Sequence, residues 1–519
     1  RARRRHFPDR RPDRFQPVTP DIHTDTIDAI GANDRGRSVG LRNAAGQIEF
    51  DVLVGPHGSG KSIALRDEAL DIPGLYLFCL PTIPLIEEQA KAFRSLRPDL
   101  TIIEARSGKG GGRGKIQRQI EDNRDALAAA GTKHAIMFMT HESMMAGDLS
   151  SFTDWHVRID EVPNAIQTGK ISISTNQSRN FFSSSFDLKT GGGWSQALLK
   201  DSAGNWREQA GDSLISQQAE FFKYAARPQG VYVNVSDWKG AKTVEWFALW
   251  SPTFLADVRS LKIAAAAYLE SLGARACLNW WDTDIAINEI NVPEPPVPRS
   301  GEPSIRIHYF TEGHEGTTAL WGTSEGRQLI KPICDYLVEN VAGLGYWSGN
   351  KEATNLMEWR VGGLLTLPKV AGSNKYRALK SCAFIYSSKP QDTDKPLMEL
   401  FGLTEADILA AREDEDIHQF VMRGVIRNEA YEGDYDIYLY SRRQAEALAT
   451  KLEPIARSVE VIGVEEAGIL SKRIEKPEDE PKSAKAKPLV LGAKGTRMIN
   501  PKSEQRRLQR RKKSGLIVG

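Results

Sequence analysis

The 519-residue sequence predicts an α/β protein with two domains built on parallel sheets, an insertion in the first domain and a basic C-terminal tail. Strand-length apolar runs alternate with helix-length segments in two stretches, 47–288 and 305–465, and such alternation is typical of parallel sheets. Between them, residues 289–304 contain five prolines, as expected of a semi-rigid linker. A chain of this length also exceeds what one core usually supports.

The predicted elements follow the order expected for βαβ units. In the first domain we predict strands at 52–54, 75–80, 100–103, 135–139 and 157–159, and helices at 61–69 and 83–97. In the second we predict strands at 305–310, 345–347, 364–367, 383–386 and 437–440, and helices at 329–341, 353–360 and 444–452. The aromatic-rich stretch 170–250 breaks this pattern and indicates the insertion. Its aromatic residues could stack on nucleic-acid bases, but packing in a core is the favoured interpretation.

Basic residues concentrate at the two ends, although the formal net charge is only +2. The first 14 residues, within an N-terminal extension 1–46, contain seven arginines and two aspartates. The last 38 residues, within a charged tail 466–519, contain twelve lysines and arginines and one acidic residue. Such arms either contact nucleic acid or are solvated tails, and both interpretations stay open.

Cysteine usage and hydropathy exclude several classes of protein. The four cysteines are far apart, which argues against a zinc site or a disulfide framework and favours a reducing compartment. No apolar run reaches about 18 residues, so no membrane span is predicted. The arginine-rich N-terminus lacks the apolar segment of a secretory signal. We therefore expect a cytoplasmic protein.

A glycine-rich loop follows the first predicted strand with the spacing G-x-x-x-x-G-K-S. Glycines at these positions let backbone N–H groups turn inward around a polyphosphate, and the next helix adds its positive dipole. Lys61 would supply charge to the β- and γ-phosphates, and Ser62 a hydroxyl ligand to Mg²⁺. An accidental turn is the alternative, but strand, loop and helix occur in the right order. The predicted phosphate-binding residues are Gly55, Gly58, Ser59, Gly60, Lys61 and Ser62.

Two acidic residues, Asp160 and Glu161, directly follow the predicted strand 157–159. In a parallel sheet this places them at the same edge as the glycine-rich loop. Asp160 would hold Mg²⁺ together with Ser62, and Glu161 would orient and activate the attacking water in phosphoryl transfer. An acidic pair after a strand is common by itself, so the combination with the loop carries the prediction.

With these motifs in order, the chain resembles the superfamily 2 helicases of the DEAD/DEAH-like group, and within them a phage or mobile-element type. The tetrapeptide here is D-E-V-P, which differs from both D-E-A-D and D-E-x-H. The resemblance covers roughly 50–450 and implies two tandem RecA-like domains that bind ATP and Mg²⁺ between them. If the protein is phage-derived, the cytoplasm would be that of the host.

The resemblance also implies contacts to a nucleic-acid backbone. P-T-I-P-L-I-E-E-Q from residue 81 and M-T-H-E from residue 139 match two motifs of the family. Thr82 and Thr140 would donate hydrogen bonds to phosphates, although both also suit helix N-caps. The segment 262–268 lies where the family has an S-A-T motif but lacks its hydroxyl groups. The remaining residues predicted to contact nucleic acid are His141, Asn350, Gly372 and Asn374.

A final motif, Q-x-x-x-R-G-x-x-R, comprises Gln419, Arg423 and Arg427. Spacing of four predicts that the three side chains share one helical face. The resemblance implies that Arg423 and Arg427 are arginine fingers that reach the γ-phosphate across a cleft. The alternative is a salt-bridged surface helix, since the four residues 413–416 are all acidic.

The function implied is an ATP-dependent helicase or translocase acting on DNA or RNA, with a single strand as the expected partner. Two alternatives remain. One is a DNA-packaging motor of the terminase type, which would need an acidic metal cluster in the C-terminal half. The other is a non-catalytic nucleic-acid-binding module, against which the intact Lys61 and Glu161 argue.

Overall fold

The computed structural model describes residues 40–55, 59–106, 113–173, 176–189, 193–200, 218–280, 284–292, 300–368 and 375–474. Two parallel sheets flanked by helices dominate this part of the chain, which confirms the predicted α/β class with two tandem RecA-like lobes. Most of the N-terminal extension, residues 293–299 of the linker and the tail from 475 lie outside the described residues. So do the predicted site residues Gly58, Gly372 and Asn374.

The strands form three sheets. The first sheet begins with β1 (Ile48–Val54), β2 (Leu75–Leu80), β3 (Thr101–Glu104), β4 (Ala135–Thr140) and β5 (Trp155–Asp160). The insertion follows with β6 (Ile166–Ser172), β7 (Phe186–Lys189), β8 (Trp194–Leu199), β9 (Val231–Asn234) and β10 (Thr243–Leu249). The first sheet resumes with β11 (Ser260–Ala264) and β12 (Ile285–Asn291). The second lobe contains β13 (Ser304–Thr311), β14 (Tyr346–Gly349), β15 (Leu364–Leu365), β16 (Ser381–Ile385), β17 (Asp434–Ser441) and β18 (Ser458–Gly463).

The helices alternate with these strands. In the first lobe and its insertion they are α1 (Lys61–Asp71), α2 (Ile83–Leu96), α3 (Arg113–Ala129), α4 (His141–Ala146), α5 (Asn176–Ser185), α6 (Ala219–Ala225), α7 (Val235–Gly240) and α8 (Leu272–Trp280). In the second lobe they are α9 (Thr318–Gly322), α10 (Ser324–Asn340), α11 (Lys351–Met357), α12 (Lys395–Phe401), α13 (Glu405–Leu409), α14 (Glu415–Val421) and α15 (Arg442–Leu452).

The first lobe is a seven-stranded parallel sheet with the order β12-β1-β11-β5-β2-β4-β3. Successive residues of a strand pack into different clusters, so both faces are buried: Leu77 and Cys79 belong to one, Tyr76 and Phe78 to the other. This explains why the central strands are almost wholly apolar. Only β11 separates β1 from β5, so the loop after β1 and the acids of β5 meet at one edge.

Two strands of this sheet were not predicted. β11 covers part of the segment that we had matched only to the S-A-T motif. β12 pairs with β1 along all seven residues, so the first lobe extends to Asn291, past the predicted end at 288. β12 lies at the edge of the sheet, and most of its side chains are exposed or partly exposed. Its sequence therefore lacks the apolar run that indicates a central strand.

The insertion is a five-stranded antiparallel sheet with the order β6-β10-β9-β8-β7. Its aromatic residues form a cluster of their own, in which ring centroids lie 5.3–6.4 Å apart. The favoured core interpretation of the aromatic stretch is therefore confirmed for these side chains. The buried rings of the cluster are Phe182, Phe186, Phe221, Phe222, Tyr224, Trp238 and Trp246.

We predict that Gly169→Ala destabilises the insertion. Gly169 of β6 pairs with Trp246 of β10, and an added Cβ atom would lie 2.5 Å from the indole ring. Because overpacking a filled core is unfavourable, the free energy of unfolding should fall by about 1–3 kcal/mol. Hydrogen exchange of the β6 and β10 amides would measure the change. Gly240→Ala is the matched control, because a Cβ atom there meets nothing within 4 Å; equal exchange in both variants would contradict the prediction.

The second lobe is a six-stranded parallel sheet with the order β15-β14-β16-β17-β13-β18. Tyr346 and Tyr435 lie fully buried in its core, and their hydroxyl groups are 2.9 Å apart. Both hydroxyls also donate to the carbonyl of Val421 at the end of α14, at 3.2 and 3.0 Å. The sheet thereby fixes the position at which α14 ends. In the part of the chain that the structure describes, no helix has the length and apolar character of a membrane span.

Candidate nucleotide site

The glycine-rich loop connects β1 to the N-terminus of α1. Gly60 precedes α1 with φ of 85°, a left-handed conformation that favours glycine, and no side chain caps the first turn of the helix. Its uncapped N–H groups and the helix dipole therefore favour an anion at this position. Lys61 Nζ donates to the Gly55 carbonyl at 2.7 Å and to Ser59 Oγ at 3.3 Å, so the loop's own oxygen atoms hold the ammonium group.

Ser62 and Asp160 meet at the edge of the sheet, as predicted. Ser62 Oγ donates to Asp160 Oδ1 at 2.7 Å, and Asp160 is only 7% exposed. Burial, together with a smaller contribution from the negative charge of Glu161, raises the pKa of Asp160 to about 7. A buried carboxylate beside a hydroxyl is a suitable pair of hard oxygen ligands for Mg²⁺, whose charge would compensate the cost of burial. The residues present therefore fit the predicted metal site.

Glu161 has an unusual backbone conformation. Its φ is 68°, and no other non-glycine residue among those described has a positive φ. Its N–H donates to the carbonyl of Ala264, the last residue of β11, at 2.8 Å. A left-handed conformation costs a non-glycine residue of order 1–3 kcal/mol and is concentrated at functional sites. The backbone of β11 thus holds Glu161 in the region where the S-A-T hydroxyl groups are missing.

The side chain of His141 is buried and so is not exposed for the nucleic-acid contact that was predicted for it. The imidazole is 6% exposed, and its Nε2–H donates to the backbone carbonyls of Cys79 and Asp160 at 3.1 and 3.0 Å. Burial lowers the pKa of His141 to about 4, so the ring is neutral at pH 7. We therefore correct its assignment: His141 braces the ends of β2 and β5, and with them the acidic pair.

The other predicted nucleic-acid contacts differ in how fully their side chains are engaged. Thr140 Oγ1 accepts from Ser143 N at 3.1 Å, which is the helix-capping alternative. Thr82 precedes α2 without making a capping hydrogen bond. Asn350 exchanges two hydrogen bonds with the backbone of Ser387, at 2.9 and 2.6 Å, and so joins the ends of β14 and β16.

The predicted single helical face for Gln419, Arg423 and Arg427 is wrong. α14 ends at Val421, Arg423 lies in the turn that follows, and Arg427 ends a 3₁₀ turn, Val425–Arg427. The added Cβ of any residue replacing Gly424 would lie 2.2 Å from the Tyr435 hydroxyl, so this close approach fixes the turn. Gln419 remains on the helix, where its Nε2 donates to Glu415 Oε1 at 3.2 Å.

The two arginines nevertheless interact electrostatically with acidic residues of the first lobe. Burial lowers the pKa of Arg423, and the negative charge of Glu161 opposes this shift. Burial and Arg377 lower the pKa of Arg427, and here Glu88 and Glu161 oppose the shift. Both guanidinium groups therefore lie within electrostatic reach of Glu161. Arg423 is 5% exposed, and its Nη1 is buried without a hydrogen-bond partner among the described residues.

The acidic residues 413–416, the last two of which begin α14, do not form the salt-bridged surface helix of the alternative interpretation. Each has a partner elsewhere in the second lobe. The pairs are Glu413 with Arg443 and Gln444, Asp414 with Arg443, Glu415 with Lys451, and Asp416 with Tyr386. Burial lowers the pKa of Lys61 to about 8, and Asp160, Glu161 and also Glu415 oppose this shift. Glu415, the first residue of α14, therefore acts electrostatically on the Lys61 ammonium group.

Sequence reasoning missed a polar network that supports α1. Glu68 of α1 accepts from Arg158 Nη2 of β5 at 2.9 Å and pairs with Lys262 of β11 at 3.2 Å. This network joins α1 to β5 and β11 at a second point, about two helical turns along α1 from the contact of Ser62 with Asp160. The available sequence signal was Arg158, a charged residue within the apolar strand two residues before Asp160. Such an arginine is buried and therefore needs a partner for its charge.

No protein-family model matches the sequence, and no curated protein matches it significantly. The chain is similar to several solved structures. S. tokodaii Xpd4 is 13% identical over 80% of this chain and 96% of that chain, with a TM-score of 0.40. A DEAD box protein from the hyperthermophile Methanococcus jannaschii is 10% identical over 79% and 88%, with a TM-score of 0.26. The Arterivirus nonstructural protein 10, a helicase in complex with DNA, is 12% identical over 79% and 64%, with a TM-score of 0.27.

Proposed function

We propose that this protein hydrolyses ATP between its two lobes and uses the cycle to move along, or unwind, a nucleic acid. One observation carries the proposal: Ser62 Oγ of the glycine-rich loop donates to the buried Asp160 at 2.7 Å. Glu161, the next residue, opposes the lowering of the pKa of Arg423 and of Arg427 in the second lobe. The buried Arg423 and the partly buried Arg427 of one lobe would form a composite site with Asp160 and Glu161 of the other. Phosphoryl transfer needs this combination, because charge must be stabilised on all sides of the transferred group.

The first lobe would bind the phosphates and prepare the nucleophile. Lys61 would exchange its bonds to Gly55 and Ser59 for phosphate oxygens, whose negative charge would restore its pKa. Ser62 and Asp160 would hold Mg²⁺, which supplies neutralisation of the phosphate charge when bound. Glu161, turned by its positive φ and held by the Ala264 carbonyl, would orient the attacking water and accept its proton.

The second lobe would complete the site. Arg423 is already buried, and its Nη1 has no hydrogen-bond partner among the described residues. A hydrogen bond to a phosphate oxygen would therefore cost little further desolvation. Arg427 also interacts electrostatically with Glu88 of the first lobe. It would exchange Glu88 for the γ-phosphate, which carries more negative charge. Closure of the lobes would thus depend on the γ-phosphate, and its loss would relax them.

A groove at the ends of β3 and β4 suits a nucleic-acid strand. Its lining is mainly apolar, and Arg106, Gln117, Thr140, Glu142 and Ser143 add polar residues. We propose that the strand is held mainly through its phosphates, by contacts that would tolerate many sequences. We propose DNA or RNA, preferably single-stranded, as the partner and the cytoplasm as the location; the phage or mobile-element type belongs to the same proposal.

Phosphate release measured with single-stranded DNA, single-stranded RNA or duplex DNA tests the proposal. We expect turnover that polynucleotide stimulates and that salt weakens, with loss of turnover in Lys61→Ala. Lys91→Ala, exposed on α2, is the control and should behave as the native chain. Stimulation by duplex DNA alone would favour a packaging motor. Polynucleotide binding without any phosphate release would favour a non-catalytic module and overturn the proposal.

A further inference from the structure

A segment of the second lobe packs in the core of the first. We call residues 391–409 the arm; it comprises a 3₁₀ turn, Asp392–Asp394, followed by α12 and α13. The arm leaves the second sheet after β16 and returns to it through a π-helix, Ala410–Asp414, that continues into α14. The arginine-bearing turn at 423–427 therefore follows the arm in the chain, with the π-helix and α14 between them.

The apolar side of the arm belongs to the first-lobe core. Four of its side chains are at most 3% exposed and pack in the same cluster as β1, β5 and β11. The ring of Phe401 lies 5.4 Å from Phe247 of β10 and 5.7 Å from Trp280 of α8. The four buried side chains are Leu397, Phe401, Leu403 and Ile408. Separating the arm from this seat would expose all of them to water.

Polar contacts fix the arm at its carboxyl-terminal half. Asn279 Nδ2 of α8 donates to the Phe401 carbonyl at 2.8 Å. Arg275, on the same helix, pairs with Asp407 at 2.7 Å. Both bonds join α8 of the first lobe to the arm, and each satisfies a group at the end of α12 or the start of α13.

A buried carboxylate connects this seat to the arginine-bearing segment. Asp394 is 1% exposed, receives the Thr168 hydroxyl of β6 at 3.2 Å and binds both terminal nitrogens of Arg412 at 2.8 Å. Arg412 lies in the π-helix immediately before α14. A bidentate pair of this kind fixes orientation as well as distance. π-helical turns often mark functional sites, and this one lies between the arm and α14.

We infer that the arm is a permanent anchor between the lobes, and that Asp394 and Arg412 are positioning residues for Arg423. The cleft opens and closes by rotation about the arm, with bending at the π-helix, while the arm stays seated against the insertion and α8. This inference rests on the proposed function in naming Arg423 as the group that is positioned and in taking the cleft to open and close. The anchor itself follows from packing and can be tested without any reaction.

Distances between the lobes test the anchor. All four native cysteines are buried, so spin labels can be attached at Asp125→Cys in α3 and Glu446→Cys in α15, whose side chains are 66% and 55% exposed. Double electron–electron resonance is recorded on the full chain, with and without a non-hydrolysable ATP analogue. We expect a narrow distribution in the native chain under both conditions. Without the analogue, Phe401→Ala and Arg412→Gln should each broaden the distance distribution.

Lys395→Ala is the matched control, because Lys395 lies on the same helix in an exposed pair with Glu399; its distribution should stay narrow. If Phe401→Ala does not fold, Arg412→Gln decides, since it removes no core side chain. A native distribution in Arg412→Gln would overturn the inference. In phosphate release, Arg412→Gln should lower kcat about tenfold or more and leave KM for ATP near native. If the native chain releases no phosphate, the proposed function fails, yet the distances still test the anchor.

Discussion

Glu161→Gln is expected to lower the rate of ATP hydrolysis by about a thousandfold and to leave ATP binding intact. The substitution keeps the size of the side chain and removes only its ability to accept a proton. The backbone bond from residue 161 to the Ala264 carbonyl does not involve the side chain, so the left-handed turn should persist. Because Lys61 and Ser62 stay unchanged, the variant should hold ATP in a closed complex that turns over slowly.

Single-turnover phosphate release and equilibrium binding of a fluorescent ATP analogue would measure the two effects separately. Glu446→Gln is a suitable control, since Glu446 on α15 is 55% exposed and pairs with Arg442 of the same helix. If Glu161→Gln hydrolysed ATP at the native rate, another group would have to be the base. If it lost binding and hydrolysis equally, Glu161 would act in holding the nucleotide and not in activating water.

Local patterns were sufficient to predict that the glycine-rich loop and the acids of β5 meet at one edge of the first sheet. The spacing from Gly55 to Ser62 and the acids at the end of β5 are short motifs, and the apolar strands β1, β2, β4 and β5 indicate a sheet buried on both faces. A parallel sheet then brings the strand ends to one edge. The contact of Ser62 with Asp160, 98 residues apart, follows from that topology.

The parts that sequence reasoning missed depend on tertiary contacts. β12 lies at the edge of the sheet, so its sequence contains polar residues and lacks the apolar run that would have predicted a strand. α14 ends at Val421 because Tyr346 and Tyr435 bind its last carbonyls, and spacing of four could not reveal this end. His141 matched a motif, yet its side chain turned inward to two strand ends. The arm gave no signal, since an amphipathic helix does not specify which lobe covers its apolar face.

Arg423→Met is expected to reduce ATP hydrolysis by about a thousandfold or more while leaving the thermal midpoint equal or higher. The two effects separate because burial disfavours the charged guanidinium, as the lowered pKa of Arg423 indicates. An apolar side chain of similar length in that place avoids the desolvation, so the fold should not suffer. A merely structural arginine would behave in the opposite way: its loss would lower the midpoint, and any loss of activity would follow from unfolding.

Two further variants sharpen this test. Arg423→Lys keeps a positive charge but loses the planar donor fork, so hydrolysis should stay well below native if the fork binds a phosphate oxygen. Arg442→Gln is the control, because Arg442 is 55% exposed and pairs with Glu446 on α15. The double variant Glu161→Gln with Arg423→Met should cost far less than the product of the single effects, since residues that stabilise one transition state act as a unit. Independent effects would mean that Arg423 and Glu161 serve different steps, and the composite site would have to be abandoned.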